Sequence, residues 1–403
     1  MYDSPHQFEP VFPANVPSSL QVKAQEIMLA AEKLSTAAHA SSRAEVRELV
    51  RSMNSYYSNR IEGQSTHPLN IERALRQDFS DRPDIARLQR VALAHIEAER
   101  QLELQFSSQF GSQFSPESVS PLSSTFLASA HHALYSRLAE ADRCTEDGHL
   151  ISPGAWRTEE VAVGQNIPPA VASLPDFFAR LDQVYGRQQT AVPNWDDYLI
   201  RIACCHHRTA WVHPFRDGNG RAIRLQSHCA LWPLSQGLWS PNRGLARAVN
   251  QYYAKLHNAD QLRQGDFDGR GNLSTRALLE WIEFFLDICL DQVQFMQRML
   301  QLDEMKQRIS ALITFRAAQG KGLRPEAILP LHHVFAAGPV TRGEFAQMTG
   351  LGERTARSLM SNLLGCGLLR SDTPLGPVRF GLPLDALVFL LPELYPEAAT
   401  RVD

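Results

Sequence analysis

Apolar residues recur every three or four positions along most of this chain, a spacing that predicts helices. Leu20 to Leu34 and Ala44 to Met53 read as two amphipathic helices, followed by Ile71 to Phe79 and Ile85 to Leu104. The Ser/Gln/Phe-rich stretch from Phe106 to Ser120 breaks the period and reads as a long loop, and Leu122 to Ala139 resumes it. The texture then changes. Asp147-Gly148 and Pro153-Gly154 are turn dipeptides, and Val161 and Val163 alternate with Glu160 and Ala162. His149 to Ile151 and Trp156 to Val163 are therefore expected to be the strands of a small β-hairpin. Pro168-Pro169 restarts a helix that runs to about Val184. Trp195, Tyr198, Leu199 and Ile202 mark one face of the next. Helices are expected again from Asn219 to about Leu234, from Tyr252 to Leu262 and from Leu273 to about Leu300.

Beyond Gly320-Lys-Gly the pattern becomes that of a compact tail. Glu326 to Phe335 predicts a helix, Thr341 caps Arg342 to Met348, and Gly350 and Gly352 separate that turn from Glu353 to Leu364. Leu368-Leu369 and Val378 to Phe380 read as strands around Thr373-Pro-Leu-Gly-Pro. A helix, a helix-turn-helix and a two-stranded wing follow the winged-helix order. The expected divisions are an N-terminal helical region over 1–110, a main helical domain over 111–300 and the tail domain over 301–403. The class is all-α, with the hairpin as its exception.

A chain of 403 residues with 44% hydrophobic side chains can bury a full core. Its net charge of -3 offers no bulk attraction to nucleic acid or to an anionic membrane. No apolar run approaches the roughly 18 residues that a membrane helix needs. Met1 to Pro17 lacks a basic-then-apolar signal pattern and reads as an extended arm. The six cysteines show no Cys-x-x-Cys spacing and read as reduced core thiols of a cytoplasmic protein.

The densest chemistry lies in His213-Pro-Phe-Arg-Asp-Gly-Asn-Gly-Arg-Ala-Ile-Arg224. Two glycines allow a tight turn whose N–H groups converge on one spot. The start of the following helix adds its dipole and unpaired donors, which makes an anion nest suited to phosphate. Arg221 and Arg224 are three residues apart and reach the same side; the planar guanidinium fork suits phosphate oxygens. Asp217 would repel phosphates unless a cation lies between, so the site implies a nucleotide–Mg²⁺ complex. A neutral His213 can take a proton from an attacking hydroxyl. Pro214 limits the backbone at the helix exit, and Phe215 is the expected apolar anchor. Arg216 reads as a solvated loop charge. Isolated histidines such as His131, His132, His206, His207, His332 and His333 read as packing or surface residues. No Gly-x-x-x-x-Gly-Lys-Ser/Thr loop is present.

This string resembles the Fic (Fido) signature His-x-Phe-x-Asp/Glu-Gly-Asn-Gly-Arg-x-x-Arg at every position, and the resemblance extends from about Ala31 to Leu300. It implies a Fic-fold helical bundle with a β-hairpin flap. The activity implied is transfer of AMP from ATP to a Ser, Thr or Tyr hydroxyl of a protein, including the enzyme itself. On that resemblance His213 would be the base and Asp217 the Mg²⁺ ligand. Gly218, Asn219 and Gly220 would form the phosphate nest, Arg221 would bind phosphate and Arg224 would clamp the γ-phosphate. Val161, Ala162, Val163 and Gly164 match the flap that docks the target by strand addition, and Tyr252-Tyr253 matches a pair beside the base.

Ser58-Asn-Arg-Ile-Glu-Gly63 matches the family's inhibitory pattern Ser/Thr-x-x-x-Glu-Gly/Asn, placed N-terminally as in its second class. The resemblance implies that Glu62 pairs with Arg224 and removes the γ-phosphate clamp. In some relatives the same glutamate positions a water that removes AMP, so de-AMPylation is the main rival activity. Phosphocholine or another nucleotide replaces AMP in some relatives. The tail sets Arg342, Arg354, Arg357, Arg370 and Arg379 against Glu344, Glu353 and Asp372, a small positive excess that permits DNA contact without demanding it. A homodimerisation or target-docking module is slightly favoured for the tail. A DNA-binding regulator that senses nucleotide through an autoinhibited Fic module is the competing class.

Overall fold

The computed structural model describes residues 2–110, 119–145, 147–162, 167–186 and 194–395. Its helices are α1 (Ser18–Ser35), α2 (Ala40–Ile61), α3 (Pro68–Leu75), α4 (Pro83–Phe110), α5 (Ser124–Tyr135), α6 (Leu174–Val184), α7 (Trp195–Val212), α8 (Asn219–Ser235), α9 (Asn242–Arg247), α10 (Val249–Ala259) and α11 (Thr275–Met299). The tail adds α12 (Leu302–Ala318), α13 (Ile328–Ala337), α14 (Arg342–Met348), α15 (Glu353–Gly365), the antiparallel pair β1 (Leu369–Arg370) and β2 (Arg379–Phe380), and α16 (Leu387–Leu390). Among the described residues no helix is long and apolar enough to cross a membrane.

The apolar stripes meet in one core. α1 lies along α11, and α7 packs against α1, α8 and α11. Trp211, Trp239, Trp281 and Phe285 fill the space between them at 1% exposure or less. A second cluster, including Leu102, Phe126, Leu134, Tyr135 and Leu225, ties α4 and α5 to α8. Residues 2–17, expected as an extended arm, instead include a 3-10 turn over Pro5–Phe8 and are seated on the core: Phe8 is fully buried against Phe177 and Trp211, and Arg208 donates to the Pro10 carbonyl. All six cysteines are free.

α2 departs most from the expected bounds, continuing two turns past Met53 to Ile61. The His39 side chain accepts the Ser41 N–H at its start. At its end Gly63, at φ 69°, donates to the Arg60 carbonyl, and Gln64 N donates to the Asn59 carbonyl. These two bonds are a Schellman stop, which needs a left-handed residue at that place. Glycine supplies it without Cβ strain, and Glu62 is thereby fixed at the last turn.

Two expected elements are corrected. The loop over Phe106 to Ser120 begins late, because α4 continues to Phe110; residues 111–118 lie outside the described set. The β-hairpin has no ladder among the described residues, only a bridge between Cys144 and Leu150. Val161 and Ala162 belong to no strand, and Val163 and Gly164 lie outside the described residues. The physical reason is that other groups take the backbone partners. Ile151 N donates to the Arg143 carbonyl and the His149 carbonyl accepts the Thr145 N–H, so the first expected strand is taken by residues 143–145, and Arg157 N donates to the Pro214 carbonyl.

The tail is seated on α2. Ser42 donates to the Phe335 carbonyl, Tyr57 donates to the Leu394 carbonyl at 3.0 Å, and Tyr395 stacks on Tyr57 with a 5° interplanar angle. Glu45 receives Arg370 and Arg379. Arg357 is paired with Glu353, and Arg342 donates to the Gly376 carbonyl. Thr341 and Glu344 form a capping box at α14, as their spacing predicts.

Candidate active site

α7 ends at His213, which is left-handed at φ 49°. That conformation costs a non-glycine residue about 1–2 kcal/mol, so the surroundings must hold it. They do so on both sides. Phe215 is fully buried, its ring 3.8 Å from the His131 ring and 5.1 Å from Trp156. Asn219 closes the loop from within: its side-chain oxygen accepts the Phe215 N–H and its amide donates to the Phe215 carbonyl, both at 2.8 Å. The Asn219 side chain is thus committed to loop shape, and only its backbone N–H remains for the nest.

Gly218 is the N-cap of α8 at φ 77°. A Cβ there would lie 2.3 Å from the Tyr135 hydroxyl. The first N–H groups of α8 have no acceptor within the helix. Asp217, just before that helix start, and Arg221, just after it, line a cavity of about 550 Å³ whose walls also include Glu62, Tyr135, Val161 and His213. Ala162 lines the same cavity.

Burial, then the nearby Arg157 charge, pulls the His213 imidazole down to about 4, against the weaker upward pull of Asp217 and Glu62. His213 is therefore neutral near pH 7, the state a general base requires. One Asp217 oxygen accepts the Gly218 N–H at 2.5 Å and lies 3.7 Å from Arg221. The other carries no hydrogen bond among the described residues, and the half-exposed side chain lines the cavity. A single oxygen donor on the wall of a wet cavity fits Mg²⁺, which keeps several waters and takes one or two carboxylates.

Arg221 is buried beside Tyr135, 5.4 Å from its ring, and donates to Gln64. Arg224 is 1% exposed and fully engaged by the end of α2. Its Nε donates to the Ser58 hydroxyl at 2.9 Å, and its Nη2 donates to the Ser58 carbonyl at 3.1 Å and to Glu62 Oε1 at 2.5 Å. Burial would lift the Glu62 carboxyl, but Arg224 and Arg221 outweigh it and hold it below the usual range. The same oxygen sits 2.4 Å from where a Gly220 Cβ would be, so the carboxylate rests on the nest. Gly63 is the Schellman residue described above.

The tyrosine pair divides. Tyr252 is a core residue whose hydroxyl bonds His206 at 2.9 Å, whereas Tyr253 is half exposed and donates to the Ile61 carbonyl of α2 at 3.0 Å. Arg216 is no free loop charge, since it pairs with Asp147 and Glu159.

Residues that the sequence did not single out complete the frame. Nδ1 of His131 accepts the Gly154 N–H at 2.9 Å, which leaves Nε2–H to donate to the Asp217 carbonyl at 3.1 Å. Arg157 donates from Nε to the His213 carbonyl at 3.0 Å and from its other nitrogens to the Glu159 and Pro169 carbonyls. The i, i+1 pairing of His131 with His132 gave no sign of this role, and an arginine within an expected strand carries no motif.

Residues 121–231 match the Fic/DOC family model. Over 80 residues the chain is 32% identical to the protein adenylyltransferase Fic of Culex quinquefasciatus, covering 19% of this chain and 15% of that one. A 124-residue match, 25% identical, joins it to the protein adenylyltransferase Fic of Nematostella vectensis over 28% of this chain and 26% of that one. The chain thus spans well under a third of the length of these curated relatives. Among solved structures, Fic-1 (residues 134–508) from C. elegans is similar at a TM-score of 0.50 and 17% identity, covering 69% of this chain and 72% of that one. The string from His213 to Arg224 falls inside the matched segment, and the chain carries a Fic/DOC family domain over residues 121–231.

Proposed function

We propose that this chain is a protein adenylyltransferase held in an inhibited state by Glu62. The observation that carries the reading is the convergence of a neutral His213, Asp217 and Arg221 on one cavity that Glu62 also lines. ATP would lay its α- and β-phosphates on the Gly218–Gly220 turn, with Arg221 against their oxygens. Mg²⁺ held by Asp217 would offset the phosphate charge. The target's Ser, Thr or Tyr hydroxyl attacks the α-phosphorus in line with departing pyrophosphate. The new bond is P–O to the protein, the P–O bond to pyrophosphate breaks, and His213 takes the hydroxyl proton. Most of the rate gain then comes from positioning and charge stabilisation.

Arg224 would bind the γ-phosphate, and Glu62 occupies it instead. The oxygen resting on Gly220 supports this reading, because a carboxylate there opposes a phosphate directly. The target segment would run beside Val161 and Ala162, and Tyr253 would border the adenine. A winged-helix reading of the tail is supported by the order of α13, α14, α15, β1 and β2. Its arginines Arg370 and Arg379 are taken up by Glu45, which favours docking onto α2 over contact with DNA.

De-AMPylation is the second reading, supported by Glu62 and His213 lining the same cavity. The test incubates the wild-type chain and a Glu62→Gly variant with ATP, GTP, UTP and CTP, and measures mass shifts on the protein and on added lysate proteins. A gain of one AMP in the variant supports the transferase. No nucleotide addition by the variant, with AMP removed from a modified target by the wild type, establishes the second reading.

A further inference from the structure

Behind Arg224, and separate from the cavity, lies a buried cluster that the transfer chemistry does not use. His95, Glu99 and Glu103 are spaced by four on α4, so they form one row on a single face. His228 faces them from α8, one turn beyond Arg224. None of the four exceeds 1% exposure. His228 Nε2 is 2.8 Å from Glu103 Oε1 and 3.4 Å from Glu99 Oε1. The donor atoms of Glu99, Glu103 and His228 all lie within 4.8 Å of one another. His95 Nδ1 stands 3.9 Å from Glu99 Oε2.

Carboxylates gathered in a core do not by themselves make a site. The decisive feature is what remains unpaired. Both ring nitrogens of His95, Oε2 of Glu99 and Nδ1 of His228 have no hydrogen-bond partner, whereas buried polar atoms are nearly always paired. A proton shared among His228 and the two glutamates would stabilise the carboxylates, yet it leaves His95 with nothing to bond. A cation in the gap gives the idle His95 ring and Glu99 carboxylate a partner, and takes the place of the proton between His228 Nε2 and Glu103.

We propose that His95, Glu99, Glu103 and His228 form a closed structural site for a divalent transition-metal ion. Two imidazoles and two carboxylates make an N₂O₂ set that suits a four-coordinate ion of the Zn²⁺ class, with bonds of about 2.0–2.2 Å. Such bonds place ligand atoms roughly 3.3 Å apart, close to the 2.8 Å and 3.4 Å that separate His228 Nε2 from Glu103 and Glu99; His95, 3.9 Å from the other Glu99 oxygen, turns toward the gap to supply the fourth bond. The outer ring is in place as well. Arg51 holds Glu103 Oε2 at 2.5 Å, and Asn54 donates to Glu99 Oε1 at 2.8 Å. Ligands in metal sites are characteristically oriented by such partners. Both partners belong to α2, so the ion would join α4 and α8 and, through Arg51 and Asn54, brace the helix that carries Glu62. None of the four ligands lines the cavity. The site is therefore structural and leaves no position for a substrate.

The test uses the full chain carrying Asp217→Ala, so that the cavity carboxylate contributes nothing. Chelator-treated protein is dialysed against Zn²⁺ and, separately, Co²⁺. The expected result is one ion per chain, visible Co²⁺ bands of a four-coordinate site, release of protons on binding, and a melting temperature several degrees higher with metal than without. Glu99→Gln, which keeps the contact to Asn54, and His95→Phe, which fills the same space, should each weaken binding at least tenfold while the circular dichroism stays helical. Should one variant fail to fold, the other and the parent titration still decide the matter. Folded parent protein that takes up no ion and melts at the same temperature with and without chelator overturns the site. So does undiminished binding in a folded variant.

Discussion

Glu62 Oε1 lies 2.5 Å from Arg224 Nη2, across 162 positions of sequence. Ser58, one helical turn earlier, accepts the same guanidinium with its hydroxyl and its carbonyl. The arginine is therefore held by an entire helix end. Removing the carboxylate alone leaves it oriented and partly neutralised by nothing but dipoles, ready for a different anion.

Glu62→Gly should raise AMP transfer at least tenfold, measured with radiolabelled ATP on the chain itself. The variant should also lose about 1–3 kcal/mol of stability, because a buried arginine forfeits a charged partner. Equal transfer by variant and wild type would refute the brake.

Acid should affect rate and stability in distinct ranges. His213 is held down to about 4, so it keeps its base form well below neutrality, and transfer by the released variant should decline only as pH approaches that value. Stability responds earlier. Burial also lowers His131 to about 4 and His206 to about 3, from an ordinary value near 6.5. The unfolded chain binds these protons first. The stabilisation is thus complete above about pH 6.5 and drains away as pH falls toward 4. Melting temperatures taken between pH 7 and pH 4 should decrease steadily.

Arg157→Ala should lower kcat about 10–100-fold while leaving KM for ATP nearly unchanged, since Arg157 fixes the His213 carbonyl and touches no nest group. Arg157→Lys should recover little, because one ammonium cannot reach three carbonyls. A matching rise in KM would argue against a positioning role.

Gly218→Ala should destabilise the fold by about 2–4 kcal/mol, combining left-handed strain with overlap against Tyr135. Urea titration would measure it, and Tyr135→Phe should not rescue it, because the ring itself blocks the space.

Tyr395→Ala should cost about 3–4 kcal/mol for the lost stack and the cavity left beside Tyr57. Chemical denaturation of the full chain would test this. A change near zero would mean that the tail grips α2 only weakly.

The site was legible where its parts are contiguous. His213 to Arg224 states base, acid, turn and arginines in one string, and Phe215 proved to be its anchor. Helix periods located α1 and α15 because each has one continuous buried stripe, whereas α7 and α8 are buried on most of their faces. Glu62 was visible only through resemblance, for no local pattern sets a glutamate apart from its neighbours. His131 and Arg157 escaped because their partners are backbone carbonyls 86 and 56 positions away. The expected hairpin has no ladder among the described residues for a related reason: alternation describes side chains, while a strand needs a free partner edge, and His149 and Ile151 pair with Thr145 and Arg143 while Arg157 N is taken by Pro214. The seat of the tail on α2 was equally hidden, since sequence pattern does not record which polar face will meet another.

That seat imposes an order on synthesis. α2 is made well before its partner: the carbonyl that Tyr57 meets belongs to Leu394, 337 positions later. His213, Asp217 and Arg224 have all emerged by then. During translation, the helix end that restrains Arg224 must wait with one flank uncovered. The Tyr57 face of α2 therefore stays uncovered until Leu394 has been made, after every residue of the string from His213 to Arg224.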